Sequence, residues 1–103
     1  MRLHKRPRFL LDLAGELNWL NEKAGPDVAA RWYESLKDTI NQIRRHPFLG
    51  RERKDLSPPG IRSWRISGFP RWLLFYGFDE HDNLIFHRIR QGTMNLTVLK
   101  MDS

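Results

Sequence analysis

Leu10, Leu13, Ala14, Leu17 and Leu20 return at three- and four-residue spacing, the stripe of an amphipathic helix. Pro7 suits the first turn of that helix, where a missing N–H costs nothing, and Gly25-Pro26 stops it. A second stripe begins at once with Ala29, Trp32, Tyr33, Leu36, Ile40 and Ile43. It ends at His46-Pro47, because the residue before a proline is pushed out of the helical region. So short a connection folds the two helices into an antiparallel hairpin.

From Pro47 the period changes. Residues 47–60, PFLGRERKDLSPPG, hold three prolines and two glycines and read as a loop. Three extended segments follow, at about 61–67, 71–78 and 84–91, turned by Gly68-Phe69-Pro70 and by Asp79–Asn83. The middle one, RWLLFYGF, is apolar on both faces, as a central strand is. Its neighbours are one-sided. Trp64 and Ile66 oppose Ser63, Arg65 and Ser67, while Ile85, His87 and Ile89 oppose Phe86, Arg88 and Arg90. Residues 2–6, RLHKR, allow a short edge strand, and 93–103 follow no single period. The expected fold is therefore α+β, a single domain over residues 1–103. Its N-terminal helical hairpin packs on one face of a small antiparallel sheet, leaving arginines beside aromatics on the other.

Composition narrows the picture. A chain of 103 residues with 40% hydrophobic and 29% charged positions supports one core and a soluble surface. Without cysteine there is neither a disulfide nor a thiolate metal site. The longest apolar run, Trp72–Tyr76, falls far short of the roughly 20 residues that span a bilayer. Asp12 and Glu16 interrupt the apolar stretch behind Arg2, Lys5 and Arg6, so a secretory signal is not expected and a cytoplasmic location is. The net charge of +6 draws the chain towards polyanions or an acidic partner. It is unevenly placed: Arg44, Arg45, Arg51, Arg53 and Lys54 fall within eleven residues beside a single acid, Glu52. Such a patch can hold phosphate without specifying sequence or chemistry.

His4, His46, His81 and His87 show no metal-ligand spacing, and neither metal nor cofactor is expected. His87 reads as a packed strand histidine and His46 as a helix-end residue, where a cation suits the dipole. Metal-free cleavage of an RNA phosphodiester needs a base, an acid, and positive charge at the phosphorus. Arg65, Arg71, Arg88 and Arg90 can supply the charge, but a guanidinium stays protonated and transfers no proton. These four are read as target- or nucleic-acid-binding residues. Tyr76, alternating with Trp72 and Leu74, reads as packed. Trp64 and Trp72 suit either cross-strand packing or base stacking.

The order of elements and several strings resemble the RelE/ParE superfamily of bacterial toxins from type II toxin–antitoxin systems. The strings are FLLDLAGELNWL, AARWYESLKDTINQIRRHPFLGR with its Pro-x-x-Gly turn, and GIRSWRISGFPRWLLFYGFDEHDNLIFHRIRQG. The resemblance implies a compact toxin, growth-arresting when free and neutralised by a cognate antitoxin, as in plasmid-stabilisation systems. RelE-like members cut messenger RNA in the ribosome; ParE-like members act on DNA gyrase. Residue by residue, Arg71 falls on the family's strand arginine, the one catalytic candidate if the chain is a metal-independent endoribonuclease. The family's lysine position falls on Ser63, its C-terminal arginine near Thr93, and its tyrosine near Val98 or Leu99. A His-Gly-x-Arg-Asp string reads here Gln91-Gly92-Thr93-Met94-Asn95. These departures imply the ParE-like branch, a gyrase inhibitor that is not itself catalytic. The alternatives are a RelE-like ribonuclease on ribosome and message, and a non-toxic basic nucleic-acid-binding or regulatory domain. The antitoxin is expected to lay an acidic or amphipathic segment on the helical hairpin and a sheet edge, with residues 93–103 as a candidate docking place.

Overall fold

The computed structural model describes residues 1–92, so the expectations for 93–103 lie outside the described residues. The elements are β1 (Leu3–Lys5), α1 (Pro7–Ala24), α2 (Pro26–Arg45), β2 (Arg51–Glu52), β3 (Arg62–Ile66), β4 (Phe69–Phe78) and β5 (Leu84–Gln91). The α+β class follows as expected. Gly25 links the helices at φ +94°, a conformation that penalises any residue with a Cβ. Its N–H donates to the carbonyls of Leu20 and Asn21, ending α1, before Pro26 opens α2.

The inner face of α1 differs from the predicted one. Phe9, Leu13, Leu17 and Leu20 face the core, while Leu10 is 49% exposed and Ala14 is also exposed. The rotation has a cause: Asp12 and Glu16 turn inward to partners on the sheet. Of the α2 stripe, all but Tyr33 is buried; that ring lies outside, with Lys37 Nζ 4.9 Å from its centroid.

The sheet runs β1-β5-β4-β3-β2, with β4 in the middle. Neighbours are antiparallel except β1, the expected N-terminal edge strand, which lies parallel to β5. Three details depart from the sequence pattern. Phe69 pairs with Ile66, so β4 starts two residues early and the turn shrinks to Ser67-Gly68. The expected loop over 47–60 contains β2, paired to Arg62 and Ser63. The register also shifts between Phe75, opposite Arg88, and Tyr76, opposite Phe86, leaving His87 as the extra residue of a bulge. That slip puts Phe86 into the helix-side core with Leu84 and Ile89, where strict alternation grouped it with Arg88 and Arg90.

The main core lies between helices and sheet. Trp72 is its hub, meeting Trp19 and Trp32 at 6.1 Å and Phe69 at 6.2 Å, all edge-on. Such pairs contribute about 0.5–1.5 kcal/mol each beyond area burial. Trp64 and Tyr76 pack into the same cluster. The opposite face is less open than expected. Leu56, Ile61, Phe75 and part of Leu73 form a second cluster there, roofed by the segment between β2 and β3. No helix among the described residues is long and apolar enough to cross a membrane.

Candidate target-binding face

Cross-strand partners share a face, and the register builds one from rows. Arg65, Leu73 and Arg90 form one row, and Ser63, Phe75 and Arg88 the next. Trp72 points to the helices, so Arg71 lies by alternation on the same side as Leu73. The backbone of Arg71 is fixed too, its carbonyl accepting the N–H of Gly92 at 2.6 Å. All four predicted arginines thus belong to the face away from the helices.

They do not share one environment. Arg65 and Arg71 are exposed and Arg90 is half-buried, but Arg88 is only 9% exposed. Arg88 Nε and Nη2 donate to the two carboxylate oxygens of Asp12, at 2.7 and 3.1 Å. Arg90 Nη1 stands 3.5 Å from the same carboxylate. Asp12 also accepts the backbone N–H of Ile89 at 3.0 Å. Displayed binding by Arg88, as read from alternation, is therefore corrected. Among the described residues β1 flanks β5 only at Leu84–Phe86, and beyond it α1 runs against β5 with Asp12 in the place of a strand partner.

Glu16, one helical turn on, accepts a bond from Trp72 Nε1 at 3.0 Å. Burial is the largest influence on it and raises its pKa above the usual glutamate value. The Trp72 bond and Arg90 act the other way, Asp12 reinforces the rise, and a bond with Gln91 opposes it. In the sequence Asp12 and Glu16 stand out only as breaks in an apolar run. Their four-residue spacing on one helix face was the available signal for an inward polar pair.

Arg53 is the second correction. Counted among the surface cations, it is only 8% exposed. Its guanidinium donates to both oxygens of Asp55, at 3.0 and 2.7 Å, and to Ser63 Oγ at 3.3 Å. It also lies 5.8 Å from the centroid of the Phe75 ring. Ser63, at the position matched to the superfamily's nuclease lysine, is thus buried beneath Arg53. Arg65 and Arg71, beside half-buried Leu73, are left as the exposed cations of the four. The matched positions Thr93, Val98 and Leu99 lie outside the described residues.

A helical hairpin packed on a small sheet is the architecture that the RelE/ParE resemblance implies. The particular family follows from residues 4–96, which match the ParE toxin of type II toxin-antitoxin system, parDE; the chain belongs to that family. Toxin ParE3 of Caulobacter vibrioides is 32% identical over 75 residues, covering 73% of this chain and 70% of that one. The fold is similar to a chain of the chromosomal ParDE TA system from P. aeruginosa, with TM-score 0.72 and 15% identity. That match covers 88% of this chain and 95% of the other.

Proposed function

We propose that this ParE-type toxin arrests growth by binding and inhibiting DNA gyrase, without catalysing a reaction of its own. The observation that carries the reading is the split among the cations. Arg65 and Arg71 stand exposed on a rigid sheet, suited to a binding contact, while the position matched to the nuclease lysine is a buried serine. Half-buried Arg90 extends the contact surface, and Arg88 positions it through Asp12. A cognate antitoxin neutralises the toxin in the cytoplasm. Its acidic or amphipathic segment fits α1, where Leu10 and Leu11 are 49% and 72% exposed. Induction without antitoxin tests the target: a DNA-damage response that precedes loss of translation supports gyrase, whereas immediate in-frame cleavage of translated message contradicts it.

A further inference from the structure

The loop between α2 and β2 is held from two sides. Tyr76 Oη donates to the Pro47 carbonyl and accepts the Gly50 N–H, both at 2.8 Å. Arg62 Nη1 donates to the Gly50 carbonyl at 2.6 Å and to that of Phe48 at 3.4 Å. The Leu49 N–H closes the turn on His46 at 3.0 Å. A Cβ on Gly50 would sit 2.7 Å from Tyr76 Oη and 2.9 Å from the Ser63 carbonyl, so this approach requires glycine.

All this order presents one large side chain to solvent. Phe48 is 72% exposed. The Arg62 guanidinium lies 4.9 Å from its ring centroid, and the Phe78 ring is 5.4 Å away. A well-fixed loop that leaves a phenyl ring in water forgoes the stabilisation of burying it. The surroundings are cationic. Residues 44–62 hold six of the Lys and Arg side chains and two acids, leaving +4 of the chain's +6. Asp55 is committed to Arg53, and Glu52 lies opposite Arg62 in the sheet. Arg44, Arg45, Arg51 and Lys54 are exposed. Asp38 and Asn41 share an open cleft with Arg44 and Arg45.

We propose that this surface binds single-stranded nucleic acid, one base stacking on Phe48 and the adjoining phosphates meeting Arg44 and Arg45. An exposed aromatic among cations is the pairing that single strands use: the ring takes a base face and the guanidinium groups take the backbone. The neighbours favour an anionic partner: a guanidinium borders the ring, and Arg44 and Arg45 stand exposed within four residues of it. Duplex is excluded as the preferred form because its bases are already stacked on one another. The surface lies apart from Arg65 and Arg71 in the chain, and the inference does not rest on gyrase.

The test is fluorescence anisotropy of the full chain with labelled oligo-dT and oligo-rU of about 12 nucleotides, and with a matched duplex, over a salt series. Both single strands should bind more tightly than duplex. Phe48→Leu should weaken single-strand binding by roughly 5- to 100-fold, and Phe48→Trp should retain it. Arg44→Gln with Arg45→Gln should lower the salt slope by about 1–1.5. Because Phe48 is exposed, its variants should melt with the parent. Absence of binding, preference for duplex, or unchanged binding in Phe48→Leu would each overturn the proposal; unequal binding of dT and rU at retained Phe48 dependence supports it and identifies the preferred sugar.

Discussion

Asp12 on α1 grips Arg88 on β5 through two bonds of 2.7 and 3.1 Å, and takes the N–H of the next residue with the same carboxylate. One side chain thereby ties the first helix to a sheet strand and stands between two of its arginines, Arg88 and Arg90. The two side chains are 7% and 11% exposed, so neither end is readily rescued by water.

Removing Asp12 strips a buried guanidinium of its bidentate carboxylate. Asp12→Ala should therefore cost about 3–5 kcal/mol. Asp12→Asn should cost less, because its amide oxygen can still accept the Ile89 N–H. Urea unfolding followed by tryptophan fluorescence measures both, and equal costs would place the whole contribution in the charge and none in the bond from Ile89.

Tyr76 pins the loop that carries Phe48, using its hydroxyl as donor and acceptor at once. Tyr76→Phe keeps the ring in the core and strands the Gly50 N–H, a loss of about 1–3 kcal/mol. Amide exchange at Gly50 should quicken with it. Gly50→Ala should destabilise as well, since its Cβ meets both Tyr76 Oη and the backbone of Ser63.

Glu16 sets a pH dependence whose sign follows from burial. Its folded pKa lies above the ordinary glutamate value, so folding favours the protonated form. That contribution is fully present below the unfolded pKa and is lost as pH rises through the folded one. Glu16→Gln, which keeps an oxygen for Trp72 Nε1, should gain on the parent in unfolding midpoint as pH climbs from acid to neutral. A difference constant across that range would show that Glu16 carries no such linkage.

The hairpin of helices and the three main strands were legible because each burial stripe repeats with its own period. Helix orientation was not, because Asp12 and Glu16 occupy the inner face and no apolar count reveals that. The bulge at His87 was equally hidden: alternation assumes an unbroken register, and one extra residue reversed the side given to Phe86. Arg65 and Arg71 were readable as exposed cations from the strand pattern. The fates of Arg53 and Arg88 were not, since each is decided by a carboxylate. Asp55 is two residues along from Arg53, and Asp12 reaches Arg88 from 76 positions earlier in the chain.

Arg65 and Arg71 touch no carboxylate among the described ion pairs, so their loss should leave the fold intact, within about 0.5 kcal/mol. Arg65→Ala and Arg71→Ala should instead weaken toxicity, about tenfold or more in the amount of protein needed to arrest growth, if these cations contact the target directly. A normal thermal melt with undiminished toxicity would remove both from the binding face.

The most direct measurement is DNA supercoiling by purified gyrase in the presence of the purified toxin. Inhibition at micromolar toxin is expected, with cleaved DNA trapped on the enzyme, relief by the cognate antitoxin, and a marked loss of potency in the Arg65→Ala, Arg71→Ala double variant. Full supercoiling activity at that concentration, from a folded toxin that still arrests growth in cells, would contradict it.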